Sequence, residues 1–420
     1  MTGIVIAAPS SGSGKTTITL GLLRALAQDG LNVRGAKSGP DYIDPRFHAV
    51  ASGQPCVNLD AWAMTPDRIR SLAAGDGPLI VEGAMGLFDG APPDDRGSSA
   101  DLARALGLSV VLVVDAARMA GSIAPLVAGF AGFASDVTIA GVILNKVGSP
   151  RHEGILRRAL AATNIPVLGA VPRDAQIVQP SRHLGLVQAD EREDLDTFLD
   201  SAAASVRRHA DIDALRQLMR PVATGNHAGL TPPAQRIALA QDRAFAFSYP
   251  HMIADWRRNG AEVIPFSPLN GDPIPESNLV YLPGGYPELY AGQIVGSGFV
   301  QNLRNTALTT DIYGECGGYM VMGDGLIDAD GTRHEMAGLL RLETSFARRK
   351  LHLGYRTVTG THGPFAGHWA AHEFHYATTI KAEGDALFTA LDAEGNDLPA
   401  MGLRLGRAYG SFAHVIDAMC

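Results

Sequence analysis

The stretch GIVIAAPSSGSGKTTITLGLLRALAQ, residues 3–28, joins a short apolar strand, a glycine-containing loop and a helix-forming segment. Backbone N–H groups of such a loop, together with the N-terminus of the following helix, can surround phosphate oxygens. Lys15 would then neutralise phosphate charge, and Thr16 would supply a hydroxyl to Mg²⁺. The expected ligand is a magnesium nucleotide, although a glycine-rich helix start without a ligand has the same pattern.

The loop departs from the strict Walker pattern at Pro9, where that pattern has glycine. Magnesium needs more oxygen ligands than one threonine offers. Glu82, which ends the apolar run LIVE, is the expected second ligand, unless it only forms a turn or caps a helix. Asn145 ends the run VILN and could read the edge of a base or form a turn. The expected nucleotide contacts are Ser11, Gly12, Ser13, Gly14, Lys15, Thr16, Thr17 and Asn145.

Further polar residues follow the second apolar segment. Asp41 and Asp44, in SGPDYIDP at residues 38–45, could face the nucleotide or could form a turn and cap a helix. Lys37 directly precedes this segment and could reach a phosphate or a substrate carboxylate.

Strand-like and helix-like segments alternate through the first half. Six strands are predicted: GIVIAAP, NVRGAKS, PLIVEGA, SVVLVVDA, TIAGVILNKV and IPVLGAVP. Such alternation is typical of a parallel sheet with helices on both faces.

The same rhythm restarts after the segment PVATGNHAGLTPPAQR, whose Pro, Gly, Thr and Asn content is typical of a linker. Four more strands are predicted in RIALAQD, AEVIPFS, NLVYLPGG and TDIYGEC, followed after residue 325 by a pattern richer in β-type alternation. We therefore predict an α/β protein with a first domain at residues 1–222, a linker at 223–235 and a second domain at 236–420.

A cysteine between glycines marks the end of the fourth of these strands, in DIYGECGGYMVMG at residues 311–323. The pattern G-x-C-x-G at a strand-to-helix turn can expose a nucleophile, and the helix N-terminus is expected to lower the thiol pKa. A small buried cysteine would have the same local sequence. Cys316 is therefore either a nucleophile or a packing residue.

Two other segments could complete a cysteine site. LPGGYPE, residues 282–288, follows the preceding strand, so Gly284 and Gly285 could bring a backbone N–H to an oxyanion, beside the N–H of Gly317. A general base is also needed, and a histidine can supply it. The candidates are His372 and His375 in HEFHY, and His414 in GSFAHVID.

Composition restricts the class of protein. The 420 residues are 46% hydrophobic and 19% charged, and the formal net charge is −8, which predicts neither nucleic acid nor an anionic membrane as a partner. Three widely spaced cysteines do not indicate a disulfide framework. The N-terminus lacks the pattern of a signal peptide, and apolar runs are too short for a membrane span. A cytoplasmic protein is expected.

The order of these motifs resembles the cobyrinate or hydrogenobyrinate a,c-diamide synthase family of the cobalamin pathway, over essentially the whole chain. The matching segments are GSGKTT, KSGPDYIDP, VEGAMGLFDG, RHLGL, LPGGYPE, GECGGYM, HEFHY and YGSFAH. The resemblance implies a P-loop domain similar to dethiobiotin synthetase, followed by a flavodoxin-like class I glutamine amidotransferase domain. It also implies ATP, Mg²⁺, L-glutamine and a corrin polycarboxylate as cofactor or substrates. A homodimer is compatible with the sequence but not indicated by it.

The resemblance assigns roles to several of these residues. Cys316 would attack the side-chain amide of glutamine with His414 as base, and the released ammonia would convert an ATP-activated corrin carboxylate to an amide. Asp41, Tyr42, Asp44 and Asp89 would lie near the transferred phosphate or the substrate. HEFHY and RHLGL belong to the pattern without an assigned role.

One departure affects the cysteine site. Many class I glutaminases have a carboxylate two residues after the catalytic histidine, but Ile416 occupies that position here. The neighbouring Asp417 cannot be assumed to take the place of that carboxylate. The resemblance therefore implies a Cys-His pair oriented by another group. The alternatives are a cobyrate synthase-like corrin amidase and a ParA-like ATP-binding protein with an inactive glutaminase-like domain.

Overall fold

The computed structural model describes residues 1–174, 177, 181–182, 185–186 and 188–419. The chain forms two compact units, Met1–His227 and Ala228–Cys420, which are described in turn. His183 and Leu184 of the RHLGL segment lie outside the described residues.

The first unit contains one large sheet and a small two-stranded ribbon. Its strands are β1 Thr2–Ala7, β2 Arg34–Ser38, β3 Val57–Leu59, β4 Leu79–Glu82, β5 Val110–Asp115, β6 Ile139–Val147, β7 Val167–Pro172, β8 Ser181–Arg182, β9 Gly185–Leu186 and β10 Arg220–Pro221. The order β3-β2-β4-β1-β5-β6-β7 is parallel throughout, and β10 pairs antiparallel with β1. Because parallel strands end at one edge, the polar residues after β1, β2, β4 and β6 meet there.

Helices pack against this sheet. They are α1 Lys15–Gln28, α2 Asp44–Ser52, α3 Pro66–Ala73, α4 Ser99–Leu106, α5 Ile123–Phe133, α6 Pro150–Leu160, α7 Leu195–His209 and α8 Ile212–Gln217, with 3₁₀ turns at Ala161–Thr163 and Ala189–Glu191. Helix α1 packs against α2 and α7, while α3 packs against α4 and α5 against α6. Ile4, Val5 and Ile6 are all fully buried. Since neighbours in a strand face opposite sides, both faces of the sheet are covered.

The predicted parallel sheet is confirmed, and each of the six predicted segments contains a strand. The sequence prediction missed β3, which has three residues, and β8, β9 and β10, which have two each. Segments this short carry too little alternation to indicate a strand.

The second unit has a ten-stranded and a four-stranded sheet. Its strands are β11 Arg236–Ala240, β12 Glu262–Phe266, β13 Leu279–Leu282, β14 Asp311–Glu315, β15 Gly325–Ile327, β16 Arg333–Glu335, β17 Arg341–Ser345, β18 His352–Gly360, β19 Gly367–His375, β20 Thr378–Glu383, β21 Asp385–Leu391, β22 Asp397–Leu405, β23 Ala408–Ser411 and β24 Ala413–Ala418. The large sheet has the order β12-β11-β13-β14-β23-β22-β21-β18-β19-β24, and the small one β16-β15-β17-β20.

The large sheet changes character along its width. Strands β12, β11, β13, β14 and β23 are parallel, whereas the remaining five are joined by antiparallel pairing. All four predicted strands of this half are present, and the β-rich pattern after residue 325 corresponds to β15–β24. The antiparallel part places β24 next to β19, which brings the YGSFAH and HEFHY segments side by side.

The helices of the second unit are α9 Pro250–Arg258, α10 Pro287–Gly296, α11 Phe299–Thr306 and α12 Gly317–Val321. A core that includes Phe245, Phe299 and Ile312 packs α10, α11 and α12 against the parallel strands. Among the described residues of the whole chain, the helices are too short or too polar to cross a membrane. The cytoplasmic location stays a prediction.

Candidate functional sites

The first site begins where β1 gives way to α1. Gly14 directly precedes α1 and has a φ of 89°, a left-handed conformation that favours glycine. A Cβ atom added at Gly14 would lie 2.1 Å from Nδ2 of Asn145. The loop therefore needs glycine here for both its backbone conformation and its contact with the end of β6.

Glu82, at the end of β4, is the centre of a buried charge network. Its Oε1 accepts hydrogen bonds from the Thr16 hydroxyl at 2.5 Å and from Nζ of Lys37 at 2.9 Å. Its Oε2 lies 2.6 Å from Nε2 of His48, and Lys37 also donates to Asp44 at 2.5 Å. The structure thus brings together four predicted residues, and adds His48, which the sequence analysis missed.

The charged members of this network are buried. Burial by itself would raise the pKa of Glu82. The charge of Lys37 and the hydrogen bonds of His48 and Thr16 outweigh burial and hold this pKa far below its usual value. Burial acts against charge on His48, but Cys56 and Glu82 raise its pKa to about 10. Glu82 is therefore an anion between two cations.

Lys15 faces the same edge of the sheet. Its ammonium donates to the carbonyl oxygen of Met85, and burial together with the charge of Lys37 lowers its pKa to about 8. An anion bound beside Lys15 would counter this desolvation, because an opposite charge favours the ammonium form.

A cavity of about 640 Å³ opens at this edge. It is lined by Ser11, Gly12, Gly14, Lys15, Thr16, Thr17, Lys37, Asp44, Glu82, Gly83, Met85, Asn145, Lys146, Pro172, Arg173, Asp174 and Ile177. Most of the residues expected to contact a nucleotide lie in this wall, together with the cations Lys146 and Arg173. The volume and the cations suit a polyphosphate ligand.

Asn145 holds the loop in place. Its Nδ2 donates to the carbonyl oxygen of Ser13 at 2.9 Å, and its Oδ1 accepts from the backbone N–H of Lys146. Lys146 itself pairs with Asp115 at 2.7 Å and donates to the carbonyl oxygen of Gly12. Contact of Asn145 with a base stays a prediction, since both polar atoms of its amide already have protein partners here.

Three of the residues predicted to lie near the substrate or the transferred phosphate do not line this cavity. Asp41 accepts hydrogen bonds from the backbone N–H groups of Ile43 and Asp44, which fixes the turn before α2. Asp89 accepts from the N–H of Gly86, and Tyr42 is buried. Their proposed proximity to a substrate or transferred phosphate stays a prediction.

The second site lies at the turn between β14 and α12. Cys316 has a φ of 47°, which is uncommon for a residue with a side chain and is typical of a sharp strand-to-helix elbow. Its backbone N–H donates to the carbonyl oxygen of Ser411, and its thiol lies 3.8 Å from the carbonyl oxygen of Phe374. The predicted elbow is present, with the side chain at the ends of β23 and β19.

Gly284 marks the approach of the histidine to the cysteine. A Cβ atom added at Gly284 would lie 2.3 Å from Cε1 and 3.2 Å from Nε2 of His414, and 3.3 Å from Cβ of Cys316. Both side chains therefore meet the same glycine. Of the three candidate histidines, His414 is the one that shares this contact.

Gly317 and Gly285 lie next to each other beside the thiol. A Cβ atom added at Gly317 would lie 3.0 Å from the backbone nitrogen of Gly285 and 2.8 Å from Cδ of Pro287. The N–H of Gly317 faces the sulfur of Cys316. Contact of these two backbone N–H groups with an oxyanion stays a prediction.

HEFHY forms the end of β19 beside this site. His372 pairs with His414 across the strands, while Glu373 bonds Arg356 at 2.8 Å and His375 at 3.1 Å. The ligand atoms of His352, Glu373 and His375 lie within 4.8 Å of one another. Arg356 pairs with Glu373, so this carboxylate already has a cation beside it.

Burial opposes charge throughout the second site. Burial and the charge of Glu288 raise the pKa of the Cys316 thiol well above its usual value, contrary to the lowering expected from the helix N-terminus. The five residues of α12 cannot offset this desolvation. Burial, with the charges of His372 and His375, lowers the pKa of His414 to about 3. The thiol and imidazole are therefore neutral at neutral pH.

Glu315 is the residue of this site that the sequence analysis missed. It precedes Cys316, is 1% exposed, and its Oε2 lies 3.7 Å from Nδ1 of His414. Burial raises its pKa to about 8. The signal available in the sequence was an acidic residue in an otherwise apolar strand end, GEC, directly before the elbow.

Both halves match known domain families. Residues 4–187 match the CobQ/CobB/MinD/ParA nucleotide binding domain, and residues 236–418 match the CobB/CobQ-like glutamine amidotransferase domain. The first match contains the cavity at Glu82, and the second contains Cys316 and His414.

Curated relatives match the whole chain. A hydrogenobyrinate a,c-diamide synthase of Brucella anthropi is 54% identical over 99% of both chains, and one of Rhizobium meliloti is 54% identical with the same coverage. Another, from Mesorhizobium japonicum, is 48% identical over 98% of both chains. The resemblance inferred from the motifs is thereby confirmed, and the chain belongs to the hydrogenobyrinate a,c-diamide synthase family.

Proposed function

We propose that this protein uses glutamine and ATP to convert the a and c carboxylates of hydrogenobyrinate to carboxamides, in cobalamin biosynthesis. The observation that carries the proposal is full-length identity of 54% to relatives named for this reaction. The geometry supports it, because one unit has a cation-lined cavity and the other has a cysteine and a histidine at a shared glycine.

In the second unit, Cys316 is the nucleophile and His414 the base. As the thiol proton moves to Nε2 of His414, the sulfur attacks the side-chain carbonyl carbon of glutamine. The N–H groups of Gly285 and Gly317 would hold the oxyanion that forms. Expulsion of ammonia leaves a thioester, which water then hydrolyses to glutamate and free thiol. The neighbouring Gly284 leaves the space in which the imidazole approaches the sulfur.

In the first unit, the loop at residues 11–17 binds the phosphates of ATP. Lys15 and Lys37 would neutralise negative charge, and the substrate carboxylate would receive the γ-phosphoryl group to become an acyl phosphate. Ammonia then attacks the acyl carbon and phosphate leaves. A carboxylate requires this activation because its own oxygen is a poor leaving group.

The donor set at Glu82 fits Mg²⁺. The hydroxyl of Thr16 and the carboxylate of Glu82 are hard oxygen donors that lie next to each other at the cavity wall. These two residues would hold the ion, which would neutralise charge on the transferred phosphoryl group. Lys37, which shares Oε1 of Glu82, would keep the carboxylate oriented when the ion binds.

The names of the relatives favour hydrogenobyrinate over cobyrinate and over the side chains amidated by cobyrate synthase. The test offers each corrin to the protein with ATP, Mg²⁺ and glutamine, and follows the products by mass spectrometry. We expect the masses of one and then two amidations on hydrogenobyrinate. Unchanged mass on every corrin, with glutamine hydrolysis and ATP binding retained, would contradict the proposal.

A further inference from the structure

The base of the second site lacks the usual orienting carboxylate. Ile416, two residues after His414, is apolar and fully buried. Asp417 follows it in β24, where the pairing with β19 shifts register between Ala370 and Ala371. The position that usually holds the orienting carboxylate therefore holds none in this chain.

Glu315 supplies this partner from β14. Its Oε2 lies 3.7 Å from Nδ1 of His414, and both side chains are 1% exposed. The opposite edge of the ring, with Cε1 and Nε2, meets Gly284 on the side of Cys316. Nδ1 of His414 thus lies toward the carboxylate of Glu315, and Nε2 lies toward Gly284, which also contacts Cys316.

The carboxylate of Glu315 is itself held in place. Oε2 accepts a hydrogen bond from the Tyr281 hydroxyl at 2.8 Å, and Oε1 accepts from the Tyr313 hydroxyl at 3.3 Å and from the backbone N–H of Val415 at 3.1 Å. An ionised carboxylate has about four acceptor positions. Three donors and an N–H from the imidazole would fill them once the carboxylate is ionised.

Resting on the function proposed above, we infer that Glu315 is the positioning residue of the glutaminase reaction. Its carboxylate accepts the Nδ1 proton of His414, so that Nε2 carries the lone pair facing Cys316. When the thiol proton moves to Nε2, the imidazolium forms next to this negative charge. Glu315 keeps its own ionisation state during the transfer, and the triad is assembled from two adjacent residues of one strand end and one histidine.

The surrounding groups make such a partner necessary. On β19, His372, Glu373 and His375 lie near His414, and the two histidines lower its pKa while Glu373 raises it. On β14 and at the elbow, Glu315 and Cys316 also lie near it. An imidazolium in this buried environment needs an adjacent anion, because the cost of burying an isolated charge exceeds what distant groups can offset.

The test uses Glu315→Gln in the full-length protein. The amide keeps the size of the side chain, removes the charge, and can donate to Nδ1, which would leave the proton on Nε2. We expect glutamine hydrolysis to fall about 10²- to 10⁴-fold, the range known for loss of the carboxylate behind a catalytic histidine. Burial places the pKa of Glu315 near 8, so wild-type kcat/KM and Cys316 alkylation by iodoacetamide should rise with pH through that region, and the variant should lose this rise.

Two further variants separate positioning from structural support. Tyr281→Phe removes one hydrogen bond to Glu315 but keeps its charge, so the pH-dependent rise should persist. Glu315→Asp also keeps the charge and should restore part of the rate with its pH dependence. If Glu315→Gln hydrolyses glutamine at the wild-type rate with an unchanged alkylation profile, the inference is wrong. Loss of rate in all three variants, with the pH profile unchanged in each, would also overturn it.

Failure of this inference is distinguishable from failure of the proposed function. Ammonia-driven amidation of hydrogenobyrinate tests the function without the glutaminase site, and it should proceed in Glu315→Gln. If the protein amidates the corrin with either nitrogen donor and Glu315→Gln hydrolyses glutamine as the wild type does, the role of Glu315 is wrong while the proposed function stands. The same ammonia-driven assay shows that the first unit of the variant is folded.

Discussion

Glu82 in the first unit and Glu315 in the second are both carboxylates that end a buried parallel strand, and each is at most 1% exposed. Lys37 and His48 bracket Glu82 and hold its pKa far below its usual value. Glu315 has neutral hydroxyl and backbone donors instead, so burial raises its pKa to about 8. The same residue type at the end of a buried parallel strand is thus an anion in the first unit and mostly protonated at neutral pH in the second.

The difference follows from the ligands that the two sites are proposed to take. ATP, Mg²⁺ and a polycarboxylate carry their own charges, and a site that is already ionised can exchange partners with them. The reacting group of glutamine is a neutral amide, and charge appears only when the thiol loses its proton. A neutral resting site then needs a nearby carboxylate, such as Glu315, at the moment of reaction.

The largest expected effect separates the two sites completely. Cys316→Ala should reduce glutamine-dependent amidation by about 10⁴-fold or more, the scale of losing a nucleophile, and should leave ammonia-driven amidation intact. The paired rates are measured on hydrogenobyrinate. Equal loss with both nitrogen donors would contradict the division of labour.

The complementary change lies at the phosphate loop. Lys15→Ala should lower amidation about 10²- to 10³-fold with both nitrogen donors, because it removes a charge that stabilises the transferred phosphoryl group. Glutamine hydrolysis should persist. Arg208→Ala, which removes an exposed cation from the same unit, is the matched control. A Lys15→Ala protein that lost only the glutamine-dependent reaction would contradict the assignment of carboxylate activation to the first unit.

The sequence predicted features whose cause is local. Buried parallel strands are continuous apolar runs, and the turns GSGKTT and GECGG need glycine next to a reactive residue, so the sheets, Lys15 and Cys316 were all predictable. Partners that meet through the tertiary fold were not. His48 reaches Glu82 across 34 residues and Glu315 reaches His414 across 99, and no spacing rule links such positions.

The thiol pKa shows the same limit. A helix N-terminus after Cys316 is visible in the sequence, but the burial that outweighs it depends on the packing of β19, β23 and the loop at Gly284. Local sequence therefore predicted the elbow at Cys316, whereas the resting protonation of its thiol required the assembled structure.

A smaller effect concerns the space between base and nucleophile. Gly284→Ala places a Cβ atom 2.3 Å from Cε1 of His414, so the imidazole must shift, and misplacement of about 1 Å can cost about 10²-fold in rate. Glutamine hydrolysis should fall by this order, with ammonia-driven amidation retained. Gly292→Ala in α10 is the control, since its nearest contact is 3.9 Å away. Equal effects of both substitutions would show that close approach at Gly284 is not the cause.

The smallest expected effect is on the pH dependence of stability, through the buried carboxyl group of Glu288 in the second unit. Burial raises the pKa of Glu288 to about 8, so between its usual value and about 8 the folded protein keeps a proton that the unfolded chain has lost. The free energy of unfolding should therefore decrease as pH rises through this window, by at most about 1.4 kcal/mol per pH unit for one proton. Glu288→Gln should flatten this slope, measured by hydrogen exchange of the β13 and β14 amides. The control Glu276→Gln, which changes an exposed residue, should leave this slope unchanged. A steeper slope in Glu288→Gln would mean that Glu288 is ionised in the folded state.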